Sequence, residues 1–192
     1  MNFETLSQAR RSYRSFESTP IPENRLTAIL KAGQWAPSPL NLQPWEFIVV
    51  SDTETKAAIR KIGESARQEV VDGGGPGWAA KYDMAFLEEA PVLIVVVIEP
   101  AKGGLGDYFG QKHGALQAGS ACVQNMMLAA ADMGIGSLWF TFFRPEALKN
   151  ALNIPEHLEV AAVVPFGKPK DVAKAPPRKN AEVYKQRYPI KD

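Results

Sequence analysis

The chain has 192 residues, of which 45% are hydrophobic and 22% charged. Twenty-two Lys and Arg against 21 Asp and Glu leave a net charge of +1. This is globular composition: it excludes a disordered chain and argues against a dedicated nucleic-acid or membrane-surface protein, either of which would carry strong basicity. The length fits a single domain over 1–192 with a sizeable core.

Cys122 is the sole cysteine, so neither an intrachain disulfide nor a cysteine-rich zinc site can form. His113 and His157 lack a metal-ligand spacing, and no metal is expected. The first sixteen residues contain no apolar run of the secretory type. The longest apolar run, Val92–Ile98, is far below the roughly 20 residues that span a bilayer. A cytoplasmic protein is expected.

In chain order, Phe3 and Leu6 share a face of a short helix over 3–9. The basic cluster Arg10, Arg11, Arg14 follows, and a turn at Ser18–Pro22. Pro22 suits a first helical position, and Leu26, Ile29 and Leu30 predict an amphipathic helix to about Trp35. Pro37, Pro39 and Pro44 keep 36–44 irregular. Trp45–Ser51 reads as a strand. Asp52 is an N-cap for a helix with Ile59, Ile62 and Ala66 on one face. Asp72–Gly77, DGGGPG, is a flexible loop or a lid. A helix is predicted over Ala79–Glu89.

Val92–Ile98 suits a central strand covered on both faces. A Gly-rich loop over 100–112 leads to the longest predicted helix, His113–Met133, which is apolar nearly all round and closes at Gly134. A third strand over Ser137–Phe143, a helix over Pro145–Leu152 and a fourth strand over Glu159–Phe166 follow. The tail is Pro- and Lys-rich, and only Val183–Tyr188 could add a strand. Together these predict an α+β fold: three layers, α/β/α, with a central mixed sheet between helices.

Four segments could carry chemistry. RRSYR (Arg10–Arg14) puts three guanidinium forks and Ser12 within five residues, an arrangement suited to phosphate. It also fits a solvated basic turn. PSPLNLQPW (Pro37–Trp45) holds Ser38, Asn41 and Gln43 on rigid prolines, and amides that donate and accept suit a heterocycle. A Pro-rich turn anchored by Trp45 reads equally well. GIGSLWF (Gly134–Phe140) follows a helix and precedes a strand, the reverse of a dinucleotide fingerprint, so a Rossmann site is excluded. PPRKN (Pro176–Asn180) lies in a tail with seven cations and two acids between Lys168 and Arg187, and by itself it reads as a solvated basic segment. There is no P-loop, no GxSxG elbow and no HExxH. Cys122, on an apolar helical face, reads as core.

Taken together and in this order, RRSYRSF, APSPLNLQPWEFIVV, APVLIVVV, QNMMLAAADMGIGSLW and PPRKNAEV resemble the FMN-dependent nitroreductase family over most of the chain. The resemblance implies non-covalent FMN, with NAD(P)H as co-substrate. It also implies a ping-pong reduction of nitroaromatics, quinones or similar small oxidants at a shared site. No catalytic side chain is implied, because the flavin carries the chemistry.

The resemblance further implies an intertwined homodimer with active sites at the subunit interface. Arg10, Arg11 and Ser12 would hold the phosphate and ribityl chain, with Arg178 as a second phosphate clamp. Arg14 would supply positive charge near the pyrimidine edge. Pro37, Ser38, Asn41 and Gln43 would approach the ring from the partner, and Ser137, Leu138 and Trp139 would pass behind it. The tail over 168–192 would extend onto the partner. Trp78, Phe109 and Phe142 are candidate substrate walls or ordinary packing.

This sequence has Leu40 where relatives are often more polar, and DGGGPG obscures alignment between Ile62 and Lys81, so no FMN contact is assigned there. Competing functions are a specialised reduced-FMN enzyme, dehalogenating or flavin-cleaving, and a non-catalytic flavin carrier.

Overall fold

The structure, a computed structural model, describes residues 2–188. Its elements are α1 (Phe3–Ala9), α2 (Glu23–Gln34), β1 (Trp45–Val50), α3 (Thr53–Asp72), α4 (Phe86–Glu89) and β2 (Val92–Ile98). After these come α5 (Gly114–Asp132), β3 (Gly136–Ser137), α6 (Pro145–Ala151) and β4 (Glu159–Gly167). One sheet runs in the order β1-β2-β4-β3.

The sheet is organised by β2. Its seven residues are all buried, as expected of a strand paired on both edges and covered on both faces. Trp45 to Val50 pair antiparallel with Ile98 to Leu93. Val92 pairs with Phe166 on the other edge, with a bulge between Val96 and Val97. Successive side chains leave a strand on opposite faces. Ile94, Val96 and Ile98 therefore meet Ile29 of α2 and Cys122, Val123 and Met126 of α5. Leu93, Val95 and Val97 meet Phe16, Ile59, Phe86, Phe140 and Leu148. Helices cover both faces, giving the three layers, and each fully buried Leu, Ile or Phe contributes about 1.5–3 kcal/mol.

The α2–α5 contact depends on Gly33: a Cβ there would come within 2.8 Å of Met126 Cγ and 2.9 Å of Cys122 Sγ. Helix α5 buries Ala115, Ala118, Cys122, Val123, Met126, Met127 and Ala130, while Leu116 stays exposed. Asp52 caps α3 by accepting from the Thr55 amide at 2.7 Å. The DGGGPG stretch is a compact turn: Gly74 has φ +71°, and the Gly75 amide donates to the Val70 carbonyl at 2.8 Å.

Four features differ from the sequence expectation. The strands pair antiparallel throughout, and the parallel component of the expected mixed sheet is confined to a single bridge between Ser12 and Ser137. The helix expected over Ala79–Glu89 is divided into a 3-10 turn, Ala79–Lys81, and the single turn of α4. The Asp83 carboxylate accepts from the Ala85 amide at 2.8 Å and so stabilises a turn between them.

The third strand is only Gly136–Ser137, followed by an isolated Phe140–Val163 bridge. No strand forms over 183–188. The tail positions beyond 188 lie outside the described residues. Among those described, no helix is long and apolar enough to cross a membrane.

Candidate functional site

Helix α1 stops at Arg10, whose amide caps the helix by donating to Leu6 O at 3.0 Å while its own backbone turns extended (ψ 134°). The extended segment then lies along the end of β3. Ser12 bridges Ser137, and the Tyr13 amide donates to Ser137 O at 3.0 Å. This approach requires glycine at 136, where a Cβ would stand 2.7 Å from Pro169 Cγ and 2.8 Å from Tyr13 Cδ2. Arg11 turns back on its own backbone, donating through Nη1 to Arg10 O at 2.8 Å and to Gln8 O. Its Nε is buried and has no partner among the described residues.

The tail returns to this turn. The Glu17 amide donates to Lys168 O at 2.8 Å, and the Lys170 amide to Ser15 O at 3.2 Å. Lys168 pairs with Glu17 at 2.9 Å and Lys170 with Glu89 at 3.1 Å. Glu89 also accepts from the Phe16 amide at 3.1 Å, so one carboxylate holds both segments. Ala173, Lys174, Pro176 and Arg178 then close a cleft of about 410 Å³ over Arg10, Arg11, Ser12 and Arg14. Five cationic side chains line it and no carboxylate does; Asp171 lines only an adjoining pocket with Ser12 and Arg14.

Burial, then the neighbouring Arg178 and Arg11 charges, lower the Arg10 pKa. Among the described residues none of these five cations pairs with a carboxylate, and gathered like charges of this kind suit an anion, which would offset their repulsion. The Arg10–Arg14 turn and Arg178, far apart in sequence, are brought together in this cleft. Lys174 joins them. The excess charge of the tail held that signal, but its position in the cleft did not follow from it.

Arg14 reaches past the cleft. Its Nε donates to the Tyr82 hydroxyl at 3.3 Å, and its Cζ stands 5.6 Å from the Tyr82 ring centroid. Tyr82 packs against Trp78 and Phe142 with centroids 5.9 and 6.1 Å away, and those two rings are 6.0 Å apart. Two of the three candidate wall aromatics thus form one cluster, while Phe109 is exposed. Tyr82 carried no signal in the sequence, being 68 residues from its partner.

The 37–44 loop is ordered by its own polar groups. Ser38 Oγ accepts from the Gln43 amide at 3.0 Å, and Gln43 Nε2 lies 3.3 Å from Asn41 Oδ1. Leu40, Asn41 and Gln43 all have positive φ, at 50°, 55° and 46°. For Leu and Gln this region is strained, by about 1–3 kcal/mol each. The loop is braced from outside by Gly104, whose Cβ would meet Pro39 Cβ at 2.5 Å. Pro37, Ser38, Asn41 and Gln43 do not line the arginine cleft, so one chain does not bring these two parts together. Ser137 and Leu138 are buried and Trp139 is half-buried; Ser137 lines a second, smaller cavity of about 190 Å³ with Arg10, Arg11 and Tyr13.

The nitroreductase family model matches residues 8–168, from just before the arginine turn to the start of the tail. An NADH dehydrogenase of Thermus thermophilus is 29% identical over 199 residues, covering 89% of this chain and 88% of its own. An iodotyrosine deiodinase of Thermotoga neapolitana is 29% identical over 182 residues, covering 90% and 91%. The crystal structure of an oxidized iodotyrosine deiodinase bound to FMN and 3-iodo-L-tyrosine has the same fold, with a TM-score of 0.84 at 24% identity over 96% of this chain and 99% of that one. By the extent of this match, the chain belongs to the nitroreductase family, whose members are oxidoreductase-type flavoenzymes.

Proposed function

We propose that this protein is an FMN-dependent oxidoreductase that uses NAD(P)H to reduce nitroaromatics, quinones or similar small oxidants in a ping-pong cycle. The observation that carries the reading is the five-cation cleft, free of lining carboxylates, with the buried Arg11 Nε unpartnered beside it. FMN, when bound, supplies the acceptance and donation of hydride. Arg10, Arg11, Ser12, Lys174 and Arg178 fit its phosphate end through charge-assisted hydrogen bonds. Arg14 would supply positive charge to the ring, which gains negative charge on reduction. Ser137, Leu138 and Trp139 would back the ring.

Pro37, Ser38, Asn41 and Gln43 complete the site from a second copy of the chain. Support for that assembly comes from the apolar side chains left uncovered on a single chain, with Trp35 79% and Leu40 67% exposed. Hydride transfer to the flavin needs no acid–base side chain, and solvent supplies the protons for the oxidant.

The test is anaerobic. The purified protein should be yellow, NADH or NADPH should bleach it, and a quinone should restore the colour. Protein that is colourless and cannot be reconstituted with FMN would overturn the reading. The similarity to iodotyrosine deiodinases favours a second reading, a reduced-FMN dehalogenase. Rapid photoreduction with only slow bleaching by NAD(P)H would select it.

A further inference from the structure

We infer that Tyr82 is a positioning residue that fixes the Arg14 guanidinium and, through it, sets how strongly the protein favours reduced over oxidised FMN. The inference rests on the proposed placement of Arg14 at the flavin ring. A free arginine at this position would have a long side chain and many rotamers, and its charge would be spread over a volume rather than held at a point. Two contacts remove that freedom. The Tyr82 oxygen accepts from Nε at 3.3 Å, leaving the terminal Nη fork unused by Tyr82. The ring also lies within cation–π range of Cζ, at 5.6 Å.

Tyr82 is itself held. It follows the 3-10 turn Ala79–Lys81, its amide donates to Ala79 O at 3.1 Å, and its ring is flanked by Trp78, Phe86 and Phe142. Next along the chain, the Asp83–Ala85 turn fixes the start of α4. The break in the expected Ala79–Glu89 helix therefore has a use: a continuous helix would not place residue 82 at this turn. Arg14 is bridged to no carboxylate among the described residues, so its full positive charge is available to an electron-rich ring.

The experiment measures the FMN midpoint potential of the loaded protein in Tyr82→Phe, Tyr82→Leu, Arg14→Gln and the double variant Arg14→Gln/Tyr82→Phe. Thermal melts check that each is folded. Tyr82→Phe keeps the ring and loses the acceptor, and should reduce the preference for reduced FMN by about three- to tenfold; a tenfold loss lowers a two-electron potential by about 30 mV. Tyr82→Leu should lower it at least as far. The double variant should match Arg14→Gln, because Tyr82 acts only through Arg14.

An unchanged potential in Tyr82→Phe, with a lowered one in Arg14→Gln, overturns the role of Tyr82 and leaves the flavin site standing. An unchanged potential in Arg14→Gln overturns the placement of Arg14 at the ring and, with it, the role of Tyr82. If Tyr82→Leu does not fold, Tyr82→Phe and the double variant decide.

Discussion

The Gly136 Cα lies so close to Tyr13 that a Cβ on it would stand 2.8 Å from the ring, and Pro169 would meet the same atom at 2.7 Å. Three segments distant in sequence converge on that point: the arginine turn, β3 and the start of the tail. Gly136→Ala should force them apart and break the Ser12–Ser137 bridge. Overpacking of this kind costs about 1–3 kcal/mol. FMN affinity, measured by fluorescence titration, should fall by more than the loss of thermal stability alone would give.

Arg10 and Arg178 oppose one another until an anion joins them. Arg10→Ala and Arg178→Ala should each weaken FMN binding at least about tenfold, since a hydrogen bond to a charged group contributes about 1.5–3 kcal/mol. Without FMN, Arg178→Ala should leave the melting temperature unchanged or raised, because it removes a repulsion. Calorimetry with and without FMN separates the two effects, and unchanged affinity in both variants would remove the site assignment.

Gly33 has no room for a methyl group against Met126 and Cys122. Gly33→Ala removes a helix-weakening glycine, worth up to about 1 kcal/mol in its favour. Forcing α2 away from α5 costs about 1–3 kcal/mol and should prevail. The melting temperature should drop by several degrees, about 2–4 °C per kcal/mol in a domain of this size.

Burial pushes the Cys122 thiol up from its ordinary value of 9.0 to about 12. In the unfolded chain the thiol ionises near its ordinary value. Its contribution to stability is therefore complete below pH 9 and is lost as pH rises through about 12. Between those limits, unfolding by urea should become easier with rising pH, and more steeply for the native chain than for Cys122→Ala. At neutral pH the thiol should resist iodoacetamide until the protein is unfolded.

Periodicity made the layers legible. The uninterrupted apolar, mostly β-branched run of β2, the Asp52 cap and the Leu26–Ile29–Leu30 stripe each follow from local chemistry, and each stands where expected. The errors lie where a distant partner competes with the local pattern. Ser137–Phe143 has the composition of a strand, yet only Gly136 and Ser137 pair regularly with β4, Phe140 returns to it in a single bridge, and the backbone of Ser12 and Tyr13 lies against Ser137. Ala79–Glu89 has the composition of a helix, yet Asp83 binds the Ala85 amide and interrupts it. At the site, the arginine turn and PPRKN were visible as separate charge clusters. Their convergence, and the pairing of Arg14 with Tyr82, required the folded chain.

The position of β2 in the middle of the sheet also bears on biosynthesis. It emerges from the ribosome soon after β1, but its other neighbour, β4, is made much later, after α5, β3 and α6. At about 5–20 residues per second, one edge of the most apolar segment in the chain waits several seconds for its partner. During that interval Val92–Ile98 presents an unpaired β-branched edge, the kind of surface that aggregates or recruits a chaperone. Synthesis past β4 closes that edge, so the sheet order itself sets how long the segment stays open.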